Sequence, residues 1–315
     1  MSEKHHHHDH DHGDVFHSHA PAGKMKLAFF LTLIILIVEV AGGFFSHSLA
    51  LLSDAGHVLT DIASIGLSWF ALHQSQKPAS EEFTYGYHRS GILAAFINSM
   101  ALIIIAVIIL IEAIARFQHP QPVESTWMFI SASVGLALNL YLGLGLSKED
   151  NINVKSAVLH MIGDAIASAG VILGGVIILF TGWYMLDPIL SVLISFLISF
   201  GAWRIVKQTV CILMEGKPKG IRIDEVIRNI CSVKGVLTVH DLHIWSITSD
   251  KNALSCHVVV NDQVNFQESQ IILREIEHCL QHQGIGHVTI QMENEDHPHD
   301  ETEICSTTTH EHHHH

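Results

Sequence analysis

Between residues 27 and 206 the chain carries six apolar runs, each long enough for the roughly 20 residues that cross a bilayer. They are Leu27–Phe45, Leu49–Leu72, Ser90–Arg116, Thr126–Leu146, Val154–Phe180 and Leu186–Val206. Lipid offers an unpaired backbone amide no partner, so only helices and closed barrels span it. The runs lack the period-2 alternation of barrel strands. The first expectation is therefore an all-α transmembrane bundle of six helices in a lipid bilayer. Pro78, Pro120, Pro122 and Pro188 read as breakers in the gaps between spans. The polar, histidine-rich start is no cleavable signal peptide.

Six spans put both ends of the chain on one side. Lys24, Lys26, Lys77, Arg89, Lys148, Lys155, Arg204, Lys207, Lys217 and Lys219 all flank that side, and the other offers only Arg116. Excess Lys and Arg mark the cytoplasmic face. Both termini are thus expected in the cytoplasm, with the spans in the cytoplasmic (inner) membrane. The balance of 17 Lys+Arg against 31 Asp+Glu, with only 15% charged residues, disfavours an ordinary soluble enzyme. It also disfavours a nucleic-acid partner, which asks for a basic face.

Histidine numbers 27. Fifteen of these lie in two tails, residues 1–24 and 296–315. Short tracts broken by Asp and Glu read as loose metal-binding segments rather than as an expression tag. Five cysteines, Cys211, Cys231, Cys256, Cys279 and Cys305, form no C-x-x-C pair. Most of them read as small buried apolar residues.

The transmembrane domain is assigned to residues 25–210 and a cytosolic α+β domain to 211–295. In the latter, helices are expected at Ile223–Cys231 and Phe266–Gln283. Strands are expected at Gly235–Ile247, Ala253–Val260 and His287–Glu293, from alternation and β-branched content.

Ionisable residues inside spans are costly and mark function by default. The second span contains His57 and Asp61, four apart and hence on one helix face. The fifth repeats the spacing with His160 and Asp164. Facing each other, the two helices offer two imidazoles and two carboxylates, a four-ligand set suited to Zn²⁺. Small residues Gly163, Ala165, Ala167 and Ser168 let the helices approach. Two aspartates cancel the charge of a dication, and because the ligands must be deprotonated to bind, metal and protons compete. A site that exchanges the two is an antiporter. Asp54 reads as a neighbour of the site or a proton relay. Glu39, Asn98, Glu112 and Asn139 read as hydrogen bonders between helices or interface residues. An intramembrane metalloenzyme is disfavoured, since no H-E-x-x-H occurs. A membrane-anchored metal buffer would not need ligands in two spans.

Several segments are similar to the cation diffusion facilitators, in particular their bacterial CzcD-like zinc-exporting branch. They are SLALLSDAGHVLTD, FTYGYHR, SAVLHMIGDAIAS, ILMEGKP and VHDLHIW, spread over residues 25–295. The resemblance implies a homodimeric exporter, not an enzyme, that swaps cytosolic divalent metal for protons. It places the transport site on His57, Asp61, His160 and Asp164, and makes the cytosolic domain ferredoxin-like. It puts a second, cytosolic metal site on His240, His257 and Glu293, where zinc plays a regulatory part. His287 is near enough in the strand pattern to join, while His243 reads as a structural hydrogen bonder.

Overall fold

A computed structural model describes residues 22–146, 152–249 and 251–295. The chain divides into two compact units. The first is built from long helices: α1 (Ala22–Ser46), α2 (Leu49–Ser75), α3 (Ser90–Gln118), α4 (Ser125–Leu146), α5 (Ile152–Thr181) and α6 (Leu186–Leu213). Every expected span falls on one of these. Among the described residues, five helices are long and apolar enough to cross a membrane. The exception is α2, whose middle holds Ser53, Asp54, His57, Thr60, Asp61 and Ser64.

Packing follows residue size. α5 lies chiefly on α4, and α1 packs on both α2 and α4. Gly42 of α1 meets Ser131 of α4 with no room for a β-carbon, and Gly174 of α5 meets Leu190 of α6 in the same way. Small residues that let a neighbouring side chain seat against the backbone are how helices associate where burial of apolar surface gives no drive. Large apolar side chains such as Phe30, Phe44, Phe180, Phe196 and Phe200 stay exposed on the unit's outside, as suits a lipid-facing surface. Gly163, in contrast, has no neighbour within 4 Å of a built β-carbon; of Gly163, Ala165, Ala167 and Ser168, only Ala165 and Ser168 are buried.

One carboxylate ties three helices together. Pro188 sits not in a gap but in the first turn of α6, where a missing N–H costs nothing. Beside it, the fully buried Asp187 accepts hydrogen bonds from Ser48 Oγ (2.5 Å), Leu49 N (2.7 Å) and Ala50 N (3.2 Å). These donors form the N-terminus of α2, where the helix leaves its first N–H groups unpaired. Arg116 at the end of α3 lies 3.6 Å from the same carboxylate, donates to the His47 carbonyl and pairs with Glu112 at 3.1 Å. So Glu112 holds Arg116 rather than bridging helices.

The second unit comprises Pro78–Ile92 and residues from Gln208 onward. Its elements run α7 (Ile223–Cys231), β1 (Val236–Ser246), β2 (Asn252–Val260), α8 (Phe266–His282) and β3 (Ile285–Glu293), the α-β-β-α-β order expected. The sheet order is β1-β2-β3, antiparallel then parallel. α8 provides the crossover a parallel pair requires. Val226 and Ile230 of α7 and Ile272, Ile276 and Leu280 of α8 close over Val239, Leu242, Leu254, Cys256 and Val258. The helices therefore cover one face of the sheet, and alternate strand residues point to the other.

Asp187→Ala strips the acceptor from three α2 donors inside an apolar bundle. We expect a loss of about 2 kcal/mol or more, read as a lower unfolding temperature of the detergent-solubilised protein. An unchanged transition would show that the α2 N-terminus finds other partners.

Candidate metal centre

In the helical unit, His57 and Asp61 stand one turn apart on α2, and Asp164 reaches them from α5. His57 Nε2 is 3.4 Å from Asp164 Oδ1 and 3.9 Å from Asp61 Oδ2. One ligand atom from each of the three lies within 4.8 Å of the others. Ligands at 2.0–2.1 Å around a tetrahedral Zn²⁺ stand about 3.3 Å apart, so the cluster needs little contraction to hold an ion. His160 lies on α5 one turn before Asp164; its side chain falls outside the described residues, as do the two histidine-rich tails.

Polar contacts surround this cluster. Asp54, buried at 2% exposure, accepts a 3.2 Å hydrogen bond from Ser168 Oγ. That bond links α2 to α5 one turn away from the cluster. Asn98 of α3 donates to Ser64 of α2 at 2.5 Å. Asn139 is buried. Glu39 of α1 is fully buried, yet neither carboxylate oxygen has a hydrogen-bond partner among the described residues. Of the two readings offered for it, the interhelical hydrogen bonder finds no partner among the described residues. It lies against Gly135 of α4, where a β-carbon would stand 2.5 Å from Glu39 Oε1.

In the second unit a cluster forms on the sheet face that the helices leave open. His240 and His257 are cross-strand partners, and Glu293 is one residue beyond the partner of Val258. Glu293 lies between the two rings, with Oε2 3.2 Å from His240 Nε2 and Oε1 3.0 Å from His257 Nδ1. Gln291 donates to the same Oε1 at 2.7 Å. These three side chains again satisfy the geometry of a metal group. His287 does not join them. It is six residues from Glu293 on β3, about 20 Å along a strand, and its exposed ring stacks edge-on against Tyr85 at 5.5 Å.

Sequence reasoning missed Asp241. A bulge between His240 and His243 holds Asp241 at φ 49°, a conformation Asp tolerates better than most residues. Its carboxylate spans the two neighbouring imidazoles, 3.1 Å from His243 Nε2 and 3.8 Å from His257 Nε2. The bulge also returns His243 to the register of Ser255, hence to the side of the sheet that carries His257. Strict alternation from His240 places it on the opposite side, and no local signal announces the bulge.

The cysteines differ from expectation. Among the four described, Cys211 and Cys231 are exposed, Cys279 is half-buried and only Cys256 is buried. Burial, with a smaller contribution from the Asp241 carboxylate, pushes the Cys256 thiol up to about 12. It remains a neutral core residue rather than a ligand, since metals bind the thiolate.

Two family models divide the chain between them. The cation efflux transmembrane domain matches residues 25–214, and the cation efflux protein cytoplasmic domain matches residues 218–295. The chain belongs to the cation efflux family. It is thus a multi-pass membrane protein of a transporter family, with a helical transmembrane domain and a small cytosolic α+β domain. It is 44% identical to a cadmium, cobalt and zinc/H(+)-K(+) antiporter of Bacillus subtilis, across 92% of this chain and 95% of the relative. It is 41% identical to the zinc transporter ZitB of Escherichia coli, across 88% and 90%. Against the metal cation efflux system protein CzcD of Cupriavidus metallidurans it is 40% identical, across 88% and 89%.

Alkylation at mildly alkaline pH should label Cys231 and spare Cys256 until the domain unfolds, as read by peptide mass spectrometry. The folded Cys256 thiol keeps its proton above the ordinary value of 9.0. The stability linked to it is therefore intact below that value and is lost as pH rises toward 12. Equal labelling of the two thiols in the folded protein would refute the core assignment.

Proposed function

We propose that the protein exports Zn²⁺ from the cytosol in exchange for protons. The observation that carries this reading is the His57, Asp61 and Asp164 cluster between two helices of the membrane unit. His160, one turn from Asp164, completes a tetrahedral set. The relatives named as antiporters and zinc transporters support the cargo and the coupling. Imidazole and carboxylate together favour Zn²⁺ over Ca²⁺ and Mg²⁺. Asp61 and Asp164 neutralise the dication, so the loaded site carries no net charge through the apolar bundle. When protons arrive from the far side they take the ligand lone pairs and release the ion. Transport needs no open coordination position of the kind hydrolysis requires, so we assign no enzymatic activity.

All six long helices cross the bilayer in this reading. α2 is the sixth despite its polar middle, because Ser53, Asp54 and Thr60 are buried inside the unit rather than presented to lipid. Both termini are then cytoplasmic and the membrane is the inner one. We assign residues 25–210 to transport and 211–295 to the cytosolic domain. That domain is ferredoxin-like in its β-β-α-β run and associates as a homodimer. His240, His257 and Glu293 form a cytosolic zinc site whose occupancy regulates the dimer; His287 is left out of it on grounds of distance. The tails, residues 1–24 and 296–315, gather the metal at the cytosolic face.

Asp61→Ala and Asp164→Ala are each expected to abolish zinc flux into inverted vesicles driven by a pH gradient, with the folded protein still inserted. Near-native flux in either variant would overturn the site. Deleting residues 1–22 should raise the KM for zinc and leave the maximal rate intact. A fall in maximal rate at saturating zinc would instead place the tail in the transport step.

A further inference from the structure

Neither metal cluster uses His278 or His282. Both are exposed on α8, four residues apart and hence on one side of the helix. The opposite side is fixed to the core by Ile272, Ile276 and Leu280. Their rings meet edge-on with centroids 4.5 Å apart at 83°, and the two Nε2 atoms face each other at 3.3 Å. We propose that His278 and His282 form a separate two-ligand site for a borderline divalent cation, zinc foremost, on the solvent face of the cytosolic domain.

The separation of the two nitrogens matches the edge of a zinc tetrahedron. In a tetrahedron with Zn–N bonds of 2.0–2.1 Å, two ligand nitrogens stand about 3.3 Å apart. An ion can therefore seat between these imidazoles with no change of backbone. The helix is pre-formed: Asn265 caps its first turn and Glu268 returns the bond, so binding carries no folding cost. Imidazole pairs select Zn²⁺, Cu²⁺ and Ni²⁺ over the hard cations Mg²⁺ and Ca²⁺. Among the described residues no third His, Cys, Asp or Glu atom closes on both nitrogens, since the only three-residue groups are the two clusters above. The remaining positions go to water, which makes the site exchangeable and suits it to capture and release rather than to structure.

The test is histidine footprinting of the intact detergent-solubilised protein with diethylpyrocarbonate, read peptide by peptide so that tail histidines are scored separately. Zn²⁺ is expected to slow modification of His278 and His282 with one shared midpoint, and Mg²⁺ to leave both reactive. H278Q should remove the zinc protection of His282, and H282Q that of His278, each shifting the midpoint by about 100-fold as a chelate becomes a single ligand. Two results would overturn the site: both rings staying reactive at zinc concentrations that protect the tails, or His282 keeping its midpoint in H278Q. The readout is binding, so it stands or falls independently of whether the protein moves zinc across a membrane.

Discussion

A carboxylate inside an apolar bundle must be matched by donors, by opposite charge or by a proton, because the medium solvates none of it. Among the described residues the helical unit holds five such groups and treats them differently. Asp187 receives two backbone N–H groups, a hydroxyl and a nearby guanidinium, and so becomes the joint of α2, α3 and α6. Asp54 is held by Ser168 across the α2–α5 contact. Asp61 and Asp164 converge on the imidazole of His57. Glu39 lies buried beside a glycine with no donor among the described residues. The helices are arranged around these solutions: the rigid joint at the start of α2 sets where His57 and Asp61, two to three turns on, can meet Asp164.

The cytosolic domain solves a smaller version of the problem with a sheet. Its helices cover one face and alternate strand residues point to the other. His240, His257 and Glu293 come together there because adjacent strands bring cross-strand side chains within about 5 Å. Cys256, one residue before His257, points into the core and stays a thiol. Two neighbouring residues thus have opposite roles only because a strand alternates its faces.

Much of this was readable without coordinates. The six long helices were legible, five of them as spans, because a run of some 20 apolar residues has few other fates, and the cytosolic elements because helix and strand differ in period. The H-x-x-x-D repeat pointed to the cluster between α2 and α5, since a four-residue spacing fixes two side chains on one face. The failures have a common cause. Pro188 read as a breaker although a first helical turn accepts proline. His287 looked near Glu293 in a pattern that carries no distance. Asp241 and the facing of His243 depended on a bulge, and most cysteines lay outside the core that hydrophobicity alone would give them.

The sequence by itself determined that the chain crosses a membrane, that an α+β domain follows, and which residue types sit at metal-ligand spacing. Those properties are local: length, period and side-chain chemistry. The tertiary structure decided that Asp164 closes on His57 from another helix, that Asp187 caps α2 from 138 residues away, that Glu293 enters between two imidazoles, and that His278 and His282 present their nitrogens to each other. Each of these depends on how elements distant in sequence pack, or on which rotamer a ring adopts against its neighbours, and no periodicity in the chain encodes that.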